Sequence, residues 1–376
     1  MVRQGSLYAQ EPSAPVRRSS HPVRLLDLFA GAGGLSAGFH RAGDGRVRVV
    51  SAVEADRAAA ATFSANFSDV PVYQGFIEDW LNDEIVPTVE IVVGGPPCQG
   101  FSNLGKREVD DERNGLWESY AEAVSRARPL YFVLENVPQF ARSEQFELLK
   151  KQTRPGGLLE NYQLEAQILN AAEYGSSQLR KRVVVIGHRR DVPAPGFPEP
   201  THPEESSWRT VADAWTGLSN VSDATRPPAR AFAFEGAQLA GPYVLSELHL
   251  MRQYQEISLR RFAAIPPGGN RTHLPDDLQM ECWRKHTSGA MDVMGRLRLD
   301  RPSVTIRTEF TKPEKGRYLH PHENRAITIA EGARLQGFPD DYKFVGSLTQ
   351  ITRQIGNAVP VELSTALATH LLSKII

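Results

Sequence analysis

Apolar and polar positions from Val23 onward fall into alternating blocks of two kinds. Short apolar runs at 23–29, 47–54, 70–73, 89–93, 130–134, 163–169 and 182–187 read as strands. Between several of them, residues 35–42, 57–67 and 116–127 carry apolar side chains at helical spacing. Strands alternating with helices predict an α/β protein with a doubly wound, mostly parallel sheet. The texture changes near Asp191. Five prolines between 193 and 203 mark a linker, and the next hundred or so residues are irregular, with scattered Gly and Pro. Helical spacing returns at 327–335 and again at 358–376, where Leu363, Leu367 and Leu371 form a stripe that should dock on the first domain. The expected division is a disordered tail at 1–22, an α/β domain at 23–192, a smaller irregular domain at 193–326, and a segment at 327–376 that returns to the first domain.

Composition narrows the class. The chain has 376 residues, 41% hydrophobic and 23% charged, ordinary values for a globular protein of about two domains. No apolar run approaches the ~18 residues of a membrane span, and residues 1–22 lack the apolar core of a signal peptide, so a cytoplasmic protein is expected. The two cysteines, Cys98 and Cys282, make neither a disulfide framework nor a zinc cluster, and no metal is expected. Net charge is −1, so a polyanionic partner would need positive charge gathered on one face. Residues 180–190 and 284–325 are rich in Arg and Lys, although a solvated basic surface would look the same.

Two places carry chemistry. Cys98 sits in Pro96-Pro97-Cys98-Gln99-Gly100-Phe101-Ser102, in an open loop after the strand at 89–93. Carboxyl ends of strands are where open α/β sheets gather ligands, so this thiol reads as a nucleophile, whereas most lone cysteines are buried and inert. The strand at 23–29 runs into the glycine turn Ala30-Gly31-Ala32-Gly33-Gly34, and Glu54 ends the next strand. That pairing suits a ligand whose ribose hydroxyls bind the acid. Ser36 stands where a dinucleotide turn would have its last glycine, which favours an adenosine without a pyrophosphate, such as S-adenosylmethionine.

Phe29-Ala30-Gly31-Ala32-Gly33-Gly34, Glu54, Pro96-Pro97-Cys98-Gln99, Glu135-Asn136-Val137, Gln178-Leu179-Arg180-Lys181-Arg182 and Gln354-Ile355-Gly356-Asn357 follow one another in this order. Together they resemble the DNA (cytosine-5)-methyltransferases, particularly those of bacterial restriction–modification systems. The resemblance covers most of 24–192 and 301–376. It implies the S-adenosylmethionine-dependent methyltransferase fold and methyl transfer to carbon 5 of a flipped-out cytosine in double-stranded DNA. Cys98 would add to carbon 6, Glu135 would engage ring nitrogen 3, and Arg180 and Arg182 would position the base, a phosphate and the Cys98 loop. The cofactor would lie against Phe29, Ala30, Gly31, Gly33, Gly34, Glu54, Ile77, Pro97, Leu116, Asn357 and Val359.

On the DNA side the matching positions are Gln99, Ser102, Thr305 and Arg307, the last two organising the small domain rather than reading bases. Residues 101–115, polar with two glycines, would close over the bound DNA. One departure concerns the adenine. The family often has Gly-Asp-Ile after the third strand, and here Gly75-Phe76-Ile77 stands, so that either Glu78 or Asp79 substitutes or packing and backbone groups suffice. The resemblance further implies a monomer paired in function with a restriction endonuclease without contact between them. The competing readings are an RNA cytosine-5 methyltransferase and a non-catalytic DNA-binding relative.

Overall fold

The computed structural model describes residues 21–97, 115–219, 221–285 and 292–376. The first part runs β1 (Val23–Leu28), α1 (Gly34–Gly43), β2 (Val47–Glu54), α2 (Arg57–Asn66), β3 (Val72–Gln74), α3 (Ile77–Asp83), β4 (Ile91–Gly94), α4 (Leu116–Ala127), β5 (Tyr131–Asn136), α5 (Glu144–Lys151), β6 (Tyr162–Asn170), β7 (Gln178–Leu179) and β8 (Lys181–Arg189). There follow α6 (Val211–Trp215), β9 (Ala231–Phe234), β10 (Ala237–Ala240), α7 (Glu256–Ala263), α8 (Glu281–Lys285) and β11 (Ser303–Val304). The chain then makes α9 (Ile329–Leu335), α10 (Leu348–Asn357) and α11 (Val361–Leu372).

Seven strands form one sheet in the order β3-β2-β1-β4-β5-β8-β6. Neighbours from β3 to β5 are parallel, whereas β8 runs antiparallel to both β5 and β6. The reversal arises because no long helix separates β6 from β8, so the chain folds straight back beside it. It has a functional consequence. Pairing of Asn136 with Val183 brings Arg182 to the carboxyl end of β5, where Glu135 lies. The sheet is mostly parallel, as the alternation implied.

Both faces of the sheet are covered, which explains why its strands read as continuous apolar runs. On one face Leu25, Phe39, Phe63, Ile91, Val133 and Val184 meet Leu363, Leu367 and Leu371 of α11. On the other, Leu26, Trp80, Tyr120, Val124, Phe132 and Phe146 pack together. Helix α11 lies against α1 so closely that a Cβ on Gly38 would come within 2.3 Å of Ser364. The Ser364 hydroxyl donates to the Leu35 carbonyl at 2.7 Å. This helix is shorter than the 358–376 expected, because Pro360 sits at its N-cap and the backbone before it is extended.

A third core joins Val211, Tyr243 and Leu245 to Ile329, Ala333, Phe338, Phe344, Ile351 and Ile355. A small fourth gathers Phe262, Ile265, Leu274, Leu278, Met294 and Leu319. With little regular structure there, the buried Arg296 takes over the bonding. Its guanidinium donates to the carbonyls of Phe262, Ile265, His320 and Glu323 at 2.5–2.7 Å and to Asn324 Oδ1 at 3.0 Å. Five acceptors on one planar donor set are what an irregular chain needs when no ladder satisfies its carbonyls.

Candidate active site

The carboxyl ends of β1, β2, β4 and β5 form one edge, and Phe29, Ala30, Gly31, Glu54, Pro97 and Glu135 of the sequence-predicted residues lie along it. At β1 the chain turns through Phe29, a non-glycine residue with φ 55°, then Gly31 at 55° and Gly33 at 85°. A left-handed phenylalanine costs on the order of 1–3 kcal/mol, and such strain is concentrated at ligand-binding turns. A Cβ placed on Gly31 would meet no atom within 4 Å, so this turn faces open space. Gly33 is the opposite case. There a Cβ would strike the Tyr342 hydroxyl at 2.8 Å and the Phe67 ring at 2.9 Å, so glycine is required both by φ and by packing.

Glu54 wires the turn to the next strand. Its Oε2 accepts from the Gly31 N–H at 2.8 Å and its Oε1 from the Asp56 N–H at 2.7 Å. Burial pushes its carboxyl above the ordinary range, against the pull of those two N–H bonds. Beneath the turn lies a group that sequence reasoning passed over. Asp27 is fully buried, its Oδ2 accepts from the Ser36 hydroxyl at 2.5 Å, and its Oδ1 has no hydrogen-bond donor. Burial raises the Asp27 carboxyl to about 7, and the Ser36 bond only partly opposes this. Ser36, the departure from the dinucleotide spacing, thus has a partner.

The C-terminal motif closes this end. Tyr342 donates its hydroxyl to the Ala32 carbonyl. A Cβ on Gly34 would sit 2.8 Å from the Val359 carbonyl, so the glycine admits the backbone of residue 359 against the first helix. Ala30, Ile77 and Val359 are buried, Phe29 and Leu116 half-buried, and Pro97 and Asn357 exposed. These residues fit an adenosyl ligand. Gly31 leaves a cradle that a side chain would fill, Glu54 presents a carboxylate held by two backbone donors, and Asp27 keeps an unpaired oxygen beneath.

At the neighbouring strand ends stands the acid. Glu135 is 8% exposed, and Arg182 Nε lies 2.8 Å from its Oε1. The N–H does not point at that oxygen, so the contact is an ion pair and Oε1 keeps no hydrogen-bond donor. A Cβ on Gly95 would lie 3.2 Å from Glu135 Oε2, so glycine there leaves the carboxylate room. Next to it, Asn136 Nδ2 donates to the Pro96 carbonyl at 3.1 Å, fixing the start of the loop that leads to Cys98. Cys98, Gln99, Ser102 and residues 101–114 of the expected closing loop lie outside the described residues.

The two arginines part company. Arg180 is 2% exposed and donates to the carbonyls of Ile306 at 2.9 Å and Gly356 at 3.1 Å. Burial, with Arg182 alongside, holds its pKa well below the usual range for arginine. It locks the β7–β11 joint to α10, while Arg182 faces the acid. Thr305 donates its hydroxyl to the Leu179 carbonyl at 2.8 Å in the same joint, and Arg307 is exposed.

Two buried glutamines complete the joint. Gln178 donates to Gln336 Oε1 at 2.8 Å and to the Leu335 carbonyl at 3.1 Å, and accepts from the Ile306 N–H at 2.8 Å. Gln178 stood in a quoted motif, but only its side-chain partners reveal what it does. Among the described residues there is no cluster of His, Cys, Asp and Glu able to hold a metal, and no helix long and apolar enough to cross a membrane.

Comparison with known proteins shows the family. The chain is 33% identical over 368 residues to the type II methyltransferase M1.HphI of Haemophilus parahaemolyticus, covering 93% of this chain and 87% of that one. It is 34% identical over 365 residues to the type II methyltransferase M.NgoFVII of Neisseria gonorrhoeae, covering 94% and 87%. In structure it is similar to the Dnmt2 methyltransferase of S. pombe, with TM-score 0.55 and 19% identity over 93% of this chain and 98% of that one, a likeness of fold. The family of C-5 cytosine-specific DNA methylases matches residues 23–373. A glycine turn wired to a strand-end acid, a buried glutamate beside an arginine and this match over nearly the whole chain make it a member of that family, a DNA (cytosine-5)-methyltransferase.

Proposed function

We propose that the protein methylates carbon 5 of one cytosine in a specific double-stranded DNA sequence and belongs to a type II restriction–modification system, where it protects host DNA from a partner endonuclease. The names of its relatives support the second half of this reading. S-adenosylmethionine, when bound, supplies an electrophilic methyl group. Phe29, Gly31, Gly33 and Glu54 hold it, with Ile77, Leu116, Asn357 and Val359 around them.

The protein's own residues prepare the acceptor. Cys98, as thiolate, adds to carbon 6 of the flipped base while Glu135, protonated from solvent as the base enters, gives that proton to nitrogen 3, and electron density moves to carbon 5. After methyl transfer, which leaves S-adenosylhomocysteine, a water molecule takes the proton from carbon 5, the carbon–sulfur bond breaks to return the Cys98 thiolate, and Glu135 takes back the proton of nitrogen 3. Arg182 holds the Glu135 carboxyl in place, and Arg180 holds the joint. Residues 193–326 read the sequence from the major groove, with Arg307 on a phosphate.

The observation that carries the reading is Glu135, buried, paired with Arg182 and lacking a hydrogen-bond donor on Oε1, on the strand that Asn136 ties to the start of the Cys98 loop. The test is a duplex library carrying 5-fluorocytosine, incubated with protein and S-adenosylmethionine. Fluorine cannot leave as a proton does, so a covalent adduct at Cys98 should survive denaturation. No adduct from the cognate duplex, or an equal adduct with Cys98→Ala, defeats the mechanism.

A further inference from the structure

Two buried side-chain amides link parts of the site that lie far apart in the sequence. Gln336, at the end of α9, is fully buried, and its Nε2 donates to the carbonyls of Ile355 and Ala358, the latter at 3.3 Å. Its backbone carbonyl accepts from the Val361 N–H at 3.0 Å. One residue therefore clasps the turn between α10 and α11 around Asn357 and Val359. The Val359 carbonyl in that turn sits 2.8 Å from where a Cβ on Gly34 would stand, against the end of the glycine turn.

From Gln336 the bonds run on to the DNA side. Gln336 Oε1 accepts from Gln178 Nε2 at 2.8 Å, and Gln178 Oε1 accepts from the Ile306 N–H at 2.8 Å. Arg180 donates to the Ile306 carbonyl at 2.9 Å. Both backbone polar groups of the residue before Arg307 are thus held by side chains of the segment that also carries Arg182, the partner of Glu135. Backbone groups leave each amide one orientation. The Ile306 N–H needs an oxygen on Gln178, and the carbonyls of Leu335, Ile355 and Ala358 need the two amide nitrogens. Turning either amide over would set donor against donor and oxygen against oxygen. A buried chain with every member satisfied is rigid, so a displacement at one end is felt at the other.

We infer that Gln336 is a positioning residue that couples the two ligands of the enzyme. The cofactor, seated against Asn357 and Val359, fixes the turn that Gln336 clasps, and the amide pair carries that constraint to Ile306 and so to Arg307 on the DNA. Cofactor and DNA then strengthen each other's binding by the same factor. This rests on the S-adenosylmethionine and Arg307 assignments proposed above.

The test is a binding cycle on the full chain. Affinity is measured, with and without S-adenosylhomocysteine, for a duplex recovered from the 5-fluorocytosine adducts and remade with cytosine. In wild type the ligand should strengthen DNA binding about tenfold, within the usual range of coupling between sites. Gln336→Met, which keeps the side-chain length and removes the amide, should cut that factor to about twofold or less, while each ligand alone binds within about threefold of wild type. Gln178→Met should do the same, and decides the outcome if Gln336→Met does not fold. The double variant should lose no more coupling than either single one, because both amides belong to one chain. Tyr162→Phe, which loses a buried bond to the Pro129 carbonyl on the edge strand β6, should melt lower but keep the wild-type factor. An undiminished factor in the glutamine variants, an equal fall in Tyr162→Phe, or no strengthening in a wild type that binds both ligands overturns the inference and leaves the cofactor reading standing. Wild type that binds no S-adenosylhomocysteine removes both.

Discussion

Asn136 and Pro96 are joined across two strands: the side-chain amide of the first donates to the carbonyl of the second at 3.1 Å, and Asn136 Oδ1 accepts from the Val137 N–H at 2.8 Å. One buried amide thereby fixes the strand end that carries Glu135 and the loop that leads into Cys98. Asn136→Ala should lower kcat about tenfold or more, since misplacement of reacting groups by about 1 Å is felt on that scale. Binding of S-adenosylhomocysteine should stay within about twofold. A variant that methylates at the wild-type rate would show that the amide does not position the loop.

Asp27 makes stability depend on pH. Its carboxyl is raised to about 7 from an unfolded value near 3.8, so the folded state binds the proton more tightly. Stability from this group is complete below about pH 4 and is lost as pH rises toward and through 7. The full effect is roughly 4 kcal/mol at most, from about three units at 1.36 kcal/mol each. Asp27→Asn should therefore flatten the pH dependence between 4 and 7.5 relative to wild type. Urea midpoints measured across that range check it, and parallel curves for the two proteins would refute it.

Glu331 and Arg325 form a buried ion pair at 2.7 Å, and Glu331 Oε2 also accepts from the Thr328 N–H at 2.7 Å to cap α9. Burial works against the Arg325 charge, yet its bonds to Glu331 and Glu323 hold its pKa above the usual value. Removing one partner of such a pair leaves a buried charge, at a cost of about 3–5 kcal/mol. Thermal melting of Glu331→Ala should show a drop of several degrees, and Glu331→Gln, which keeps an oxygen for the cap, should lose less. Equal melting of Glu331→Ala and wild type would contradict the assignment.

Gly356 lets the Arg307–Thr308 backbone lie on α10: a Cβ there would come within 2.4 Å of Arg307 C and Thr308 N. Gly356→Ala has to push the joint apart, so soluble yield and DNA binding should both fall. Arg307→Ala should leave the fold intact and reduce the slope of log affinity against log salt by about one, as expected for one lost phosphate contact. An unchanged slope would remove Arg307 from the DNA face.

Local pattern was enough to anticipate the parallel half of the sheet, because Leu25–Leu26 and Val92–Val93 are buried on both faces and read as continuous runs. It was not enough for β8, whose direction depends on what it pairs with rather than on its own residues. Glu54 was expected at the end of its strand and stands there, and two backbone donors tie its carboxylate to the Gly31 turn. Asp27 was missed because an acid inside an apolar strand gives no periodic signal, and the roles of Gln178 and Gln336 arise only from a contact 158 positions apart in the chain. Helix α10 was missed although Leu348, Ile351 and Ile355 stand at helical spacing within it.

The seam between α1 and α11 sets an order of assembly. Helix α1 follows the cofactor turn directly, and its inner side is completed by Ser364, Leu363 and Leu367, more than 320 residues downstream. A chain still on the ribosome therefore carries the turn but not its backing until residue 372 has been made. A chain cut short before α11 would leave the inner side of α1, and the turn that precedes it, without this packing.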